Sequence, residues 1–235
     1  CVVFVNGRRA ARHTGGYLPF EADITAYLKP GENEIVLAVK DLSDTSYHAR
    51  GKQKLDRGGM FYTAQSGIWQ TVWMEDVPEQ YIQSIHAEPD FDGGKVRITV
   101  EANAHIPVEI RVRKPGVYSS PMCAPVDVAD GKTQEIQDWS SAQGMPGEGI
   151  EVSLPAVCPW TCEEPFLYYF TVELGEDRAE SYFAMRTFTI EPDRTGCPRI
   201  CLNHKVQFQK GVLDQGYWPD GLYTAPSDQA IIFDI

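Results

Sequence analysis

Apolar and polar residues alternate with a period of two through most of this chain. That pattern leaves little room for any architecture but antiparallel sheets packed face to face. Val96, Ile98, Val100 and Ala102 alternate with Arg97, Thr99 and Glu101. Val108, Ile110 and Val112 alternate with Glu109, Arg111 and Arg113, and Phe166, Tyr168, Phe170, Val172 and Leu174 form the longest run. Successive side chains of a strand point to opposite faces, so such runs bury one face and solvate the other. Ile68, Gln70, Val72 and Met74 oppose Trp69, Thr71 and Trp73, which predicts a strand with bulky residues on both faces. Asn6-Gly7, Pro30-Gly31, Asp92-Gly93-Gly94, Pro115-Gly116 and Asp130-Gly131 mark turns between the runs. No helical stripe of convincing length appears before residue 220, so the chain reads as all-β to about residue 190.

Two junctions divide it. Val77-Pro78-Glu79-Gln80-Tyr81 separates the Trp-rich segment from a fresh set of strands, and a polar stretch from Glu191 to Pro198 ends that set. The roughly 110 residues between them have the size of an immunoglobulin-like sandwich, without the Cys-Trp-Cys core of antibody domains. Within that span Ser119 to Gly149 is rich in Pro, Gly and Ser and reads as a long irregular connection. After residue 200 the texture changes. Val206, Phe208 and Gly211-Val212-Leu213 read as a strand running into a loop. Thr224-Ala225-Pro226-Ser227-Asp228 then combines a cap, an early Pro and an acidic first turn, which predicts a helix. A strand, a loop and a starting helix make one βα step, too little to close a barrel. The chain opens at Cys1 inside an apparent strand, without an initiator Met, and closes within the expected helix. It therefore reads as a fragment at both ends.

Charge narrows the function. Lys and Arg number 21 against 33 Asp and Glu, a formal net charge of -12 with no basic stripe. Nucleic acid is not an expected partner, because phosphate binding needs clustered cations. No membrane partner is expected either, since no apolar run approaches the roughly 20 residues a spanning helix requires, and no leader is visible. A neutral or water-soluble small substrate fits better. Of the six cysteines, Cys158 and Cys162, like Cys197 and Cys201, are separated by three residues rather than the two of a zinc knuckle. Pairing within either gap is geometrically poor on an extended segment, and no His flanks at ligand spacing. The expectation is unpaired thiols in a reducing, cytoplasmic compartment, with no metal and no cofactor.

The run Val5-Asn6-Gly7, then His13-Thr14-Gly15-Gly16-Tyr17-Leu18-Pro19-Phe20 and Asp23-Ile24-Thr25, resembles the sugar-binding sandwich of glycoside hydrolase family 2. So do Gly31-Glu32-Asn33-Glu34-Ile35, Gly51-Lys52-Gln53 and Ser66-Gly67-Ile68-Trp69-Gln70-Thr71-Val72-Trp73. Trp160, Pro165-Phe166-Leu167-Tyr168 and Phe183-Ala184-Met185-Arg186 are similar to the family's exit from its immunoglobulin-like domain, with Ala184 in place of the usual Gly. Leu202-Asn203-His204-Lys205 through Lys210-Gly211-Val212 is similar to the approach to its catalytic barrel, with His204 replacing the more usual Gly.

The resemblance implies a mainly β fold in three parts. Residues 1–78 would form a partial jelly-roll sugar-binding sandwich, incomplete at its amino end. Residues 79–190 would form the immunoglobulin-like sandwich, and 191–235 the first βα step of a truncated (β/α)8 TIM barrel. It implies an accessory part of a retaining exo-β-glycosidase of β-galactosidase or β-glucuronidase type. The partner would be a carbohydrate β-glycoside, and the parent enzyme could be a homo-oligomer. Such enzymes use two Glu residues on later barrel strands, so no catalytic residue is assigned here. Barrel active sites lie at the carboxyl ends of strands. Asp214, Gln215 and Trp218 are therefore the candidate sugar-binding residues, a carboxylate and an amide for hydroxyls and an indole for a ring face. Asp220 more naturally shapes the turn before Gly221. The polar loop Asp41 to Gln53, with Asp44, Tyr47, His48, Arg50, Lys52 and Gln53, is a second place to look. Trp69 and Trp73 are expected as core anchors, with a sugar platform as the alternative. A free carbohydrate-binding module and a structural adhesin compete with the enzyme reading; a binding module has no use for the strand and partial helix after residue 200, and an adhesin is expected to show a secretion signal or paired cysteines.

Overall fold

A computed structural model describes residues 1–115 and 138–235. The expected turns at Pro115-Gly116 and Asp130-Gly131, and the 119–137 part of the expected irregular connection, lie outside or at the limit of the described residues. The chain divides into one unit of Cys1–Met74 with Val212–Ile235 and a second unit of Glu75–Gly211.

In the first unit β1 (Val2–Val5) lies between β2 (Arg8–Arg12) and β3 (Ile35–Ala38), all antiparallel. The β1–β2 turn is the one expected: Asn6 and Gly7 both take positive φ, 49° and 76°, the mirror-image turn that matches strand twist. The Asn6 amide also donates to the Tyr27 carbonyl at 2.9 Å and to Asn33 at 2.8 Å, tying two turns together. Val3 and Val5 are buried. Two short strands, β4 (Gln53–Lys54) and β5 (Tyr62–Thr63), pair in parallel. The strand expected over Ile68 to Met74 does not form; no ladder pairs with it. Its alternation is real, but a strand also needs a partner edge, which periodicity cannot report. The helix α1 (Asp228–Asp234) forms in the expected segment, capped by the Ser227 hydroxyl, which accepts from the Ala230 N–H at 3.2 Å; Pro226 thus precedes the cap instead of standing early in the helix.

The second unit contains a two-sheet sandwich. One sheet has the order β10-β7-β6, from β6 (Ile82–Asp90), β7 (Lys95–Ala102) and β10 (Gly149–Ser153). The other has the order β12-β11-β8-β9, from β8 (Val108–Arg113), β9 (Asp138–Gly144), β11 (Tyr168–Leu174) and β12 (Asp177–Phe183). All pairings in both sheets are antiparallel. Val96, Ile98 and Val100 meet Val108, Ile110, Val112, Phe170, Val172 and Leu174 in one core, the residues the alternation assigned to it. Strand β9 corrects the expectation of an irregular connection up to Gly149. Its Ser, Ala and Gly residues carry little hydrophobic pattern, yet β8 offers an edge and the backbone ladder needs nothing more. On the outer face Arg111 pairs with Glu109 and Glu173, and Arg113 with Glu180.

A third sheet, β13-β14-β15, follows as an antiparallel meander of β13 (Phe188–Pro192), β14 (Pro198–Leu202) and β15 (Lys205–Val206). The strand read through Val206 is thus two residues long and hydrogen-bonded to β14. Its turn is Asn203-His204, with φ 50° and 63°.

Candidate functional site

The segment carrying Asp214, Gln215 and Trp218 belongs to the first unit, and one buried amide is among the groups that tie it there. Gln53 is 6% exposed, an unusual place for a glutamine. Its Nε2 donates to the Arg50 carbonyl at 2.8 Å and to the Tyr223 hydroxyl at 3.1 Å, with the Tyr17 hydroxyl at 3.5 Å. Its Oε1 accepts from the Gln65 N–H at 2.6 Å, and Gln65 Oε1 in turn accepts from the Tyr223 N–H at 2.7 Å. The amide is satisfied on both sides, which is what makes its burial tolerable. Glycine turns and short strands bring these partners from distant places in the chain.

Aromatic rings surround the bracket. Tyr62 and Tyr217 stack at 4.2 Å, and Trp69 lies 5.3 Å from Tyr223 and 5.9 Å from Tyr17. The Trp69 indole donates to the Gly16 carbonyl at 2.7 Å, but Trp69 is half-buried and lies outside the buried core. Trp73 is 68% exposed and is no core anchor. Burial, and then the Tyr223 hydroxyl, push the Tyr17 hydroxyl up to about 12. Burial and the neighbouring tyrosine raise Tyr217 further. Both stay protonated at any physiological pH and act as hydrogen-bonding groups, not bases.

Beside the stacked pair is a cleft of about 380 Å³ lined by Arg57, Phe61, Tyr62, Thr63, Tyr217, Trp218, Pro219 and Leu222. Of the three candidate residues, Trp218 lines it; Asp214 and Gln215 do not. The Trp218 N–H donates to the Leu222 carbonyl at 2.8 Å, closing the loop that presents its indole. Asp214 Oδ1 accepts from the Gly216 N–H at 2.7 Å and shapes a local turn. Gln215 Oε1 accepts from Lys52 Nζ at 3.4 Å, which joins the loop Asp41 to Gln53 to this segment. Elsewhere in that loop Tyr47 is 93% exposed and packs on His48 at 4.5 Å. Asp220 bonds the N–H of Gly221, the turn role expected of it.

Sequence reasoning missed Arg57, Phe61, Tyr62 and Thr63. The Gly58-Gly59 pair beside them was the available signal, since both take positive φ. Among the described residues no group of three or more His, Cys, Asp or Glu is placed to hold a metal ion, and the five described cysteines are unpaired.

Residues 1–78 match the family model described as glycosyl hydrolases family 2, sugar binding domain. Residues 80–186 match that described as glycosyl hydrolases family 2. A β-galactosidase of Thermoanaerobacter pseudethanolicus is 26% identical over 182 residues, 73% of this chain and 22% of that protein. A β-glucuronidase of Rattus norvegicus is 29% identical over 132 residues, 47% of this chain and 20% of its own length. The chain thus spans about a fifth of these relatives. A solved β-glucuronidase from Ruminococcus gnavus, in complex with C6-substituted uronic isofagomine, superposes with a TM-score of 0.67 at 22% identity. That match covers 95% of this chain and 37% of the other, and it bears on fold alone.

Proposed function

Starting from a chain that belongs to glycosyl hydrolase family 2, we infer that it is the accessory β-sandwich part of a retaining exo-β-glycosidase. The parent enzyme would act on O-glycosidic bonds in the manner of a β-galactosidase, and this part would be inactive alone. The observation that carries the reading is the two consecutive matches to domains of one family, over 1–78 and 80–186. The domain plan is then 1–78, 79–190 and 191–235, the last leading into the catalytic barrel. The capped helix at Asp228–Asp234 supports that last assignment. Trp218 forms a wall of the sugar site in this reading, while Asp214 and Gln215, which stand outside the cleft, shape and tether the segment that carries it. Trp218 in the aromatic cleft and the link from Gln215 to Lys52 support it. Among the described residues no helix is long and apolar enough to cross a membrane. A cytoplasmic location and a homo-oligomeric parent enzyme complete the proposal.

Retention of configuration needs two carboxyl groups about 5–5.5 Å apart, one the nucleophile and one the acid/base. None of the residues assigned above supplies that pair. The purified chain should therefore give no turnover on a panel of aryl β-glycosides. Hydrolysis that follows the protein through successive purification steps would refute the assignment as a non-catalytic part.

A further inference from the structure

The cleft beside Trp218 has a charge that the rest of the molecule does not prepare one for. In a chain with 33 acidic residues against 21 basic, no carboxylate lines it among the described residues, and its one charged lining group is Arg57. The guanidinium donates to the Thr63 hydroxyl at 2.8 Å, and no ion pair engages it among the described residues. A guanidinium has five N–H donors in a planar fork that fits an oxyanion. One such bond fixes the group and leaves most of the fork unused.

The turn that carries Arg57 is well determined. Gly58 and Gly59 take φ of 155° and 57°, conformations a side chain would strain, and the Phe61 N–H closes the turn on the Gly58 carbonyl at 3.0 Å. A second cation adds to the field, since Lys54 Nζ sits 4.0 Å from the centre of the Phe61 ring. Phe61, Tyr62 and Trp218 supply apolar walls of the kind that meet the C–H faces of a pyranose.

We propose that this cleft seats an anionic sugar, with Arg57 holding its carboxylate or sulfate group and the aromatic walls its ring. The proposal rests on the reading that the cleft takes sugar at all, and names the class of sugar.

The test is direct binding to the whole 235-residue chain by calorimetry or ligand-observed NMR. Three probes are compared: methyl β-galactoside, methyl β-galacturonide and the 6-sulfate of methyl β-galactoside. The expected result is an acidic probe bound about ten- to a hundredfold more tightly than the neutral one. That preference should shrink as salt is raised, vanish in Arg57→Gln and survive in part in Arg57→Lys. Arg57 is exposed, so both variants should unfold at the wild-type temperature. Whether the uronide or the sulfate binds better identifies the anion. Equal affinity for neutral and acidic probes, or a preference untouched in Arg57→Gln, overturns the anion seat. If Trp218→Ala then abolishes binding of the neutral probe, the sugar reading still stands. A folded chain that binds none of the three overturns the sugar reading and this inference with it.

Discussion

His204 shows how one side chain can offset an unfavourable backbone. It occupies φ 63°, in the left-handed region where the β-carbon is crowded and glycine is the easier choice. Its ring is gripped from both sides, Nδ1 by Glu191 at 2.6 Å and Nε2 by Asp92 at 2.9 Å, with Phe91 nearby. The Glu191 bond, then the Asp92 bond, raise the His204 pKa above its ordinary 6.5. Thr189, then His204, hold Glu191 below its ordinary 4.5. A raised histidine stabilises the fold fully below its unfolded value and loses that effect as pH rises through the folded value. A lowered carboxylate stabilises above its unfolded value and loses the effect as pH falls through the folded one. The β14–β15 hairpin should therefore be best protected between those limits. Hydrogen exchange of its amides, corrected for intrinsic rates, should quicken from pH 6 to 9 in the wild type. In His204→Gly it should be flat over that range, and a matching rise there would mean the carboxylate grip does not govern the hairpin.

At the scale of elements, alternation identified a strand only where a partner edge was also present, and a partner edge could make a strand without alternation. Val108, Ile110 and Val112 mark β8 because both its edges are paired and one face is buried. Ile68 to Met74 carries a pattern as strong and forms no strand, while β9 carries almost none and does. The segment 212–223 is held by hydrogen bonds rather than by any ladder of regular strands, and Gln53 is among the residues that hold it. Gln53→Leu fills similar volume but strips partners from the Gln65 N–H and the Tyr223 hydroxyl. The Tyr223 hydroxyl keeps the Tyr17 hydroxyl at 3.4 Å, so the half-buried Gln65 N–H is the group left unmet, which should cost roughly 1–3 kcal/mol. Lys52→Ala, which removes only an exposed contact to Gln215, should cost under about 1 kcal/mol. Chemical denaturation followed by Trp fluorescence compares the two, and equal losses would show that the bracket holds nothing.

For the whole molecule the distribution of burial decides stability. Of the largest fully buried side chains among the described residues, Val5 alone belongs to the first unit, while Tyr168, Phe170, Ile98, Ile110, Leu174 and Met185 belong to the second. Apolar burial contributes about 25 cal/mol per Å², so a unit with few buried side chains has little to set against chain entropy. Native-state hydrogen exchange should find the slowest amides in β7, β8 and β11, and markedly faster exchange in β1 and β3. Residues 75–211 expressed alone should keep that slow core. Equal protection in the two units would contradict the ledger of burial.

The sequence by itself determined the β class, the inward faces of β7, β8 and β11, the Asn6-Gly7 turn and the segment that forms the capped helix. Each of these depends on neighbours within a few residues, through side-chain period, positive φ or a capping oxygen. Only the tertiary structure decided which strands found edges, that Trp69 is half-buried and Trp73 exposed, and that Trp218 shares a cleft with Arg57 and Tyr62. Those facts depend on contacts between residues far apart in the sequence, from Trp69 with Gly16, 53 positions apart, to Gln53 with Tyr223, 170 apart. A local pattern carries no record of such a partner, because the energy that selects it arises only once both segments are folded together.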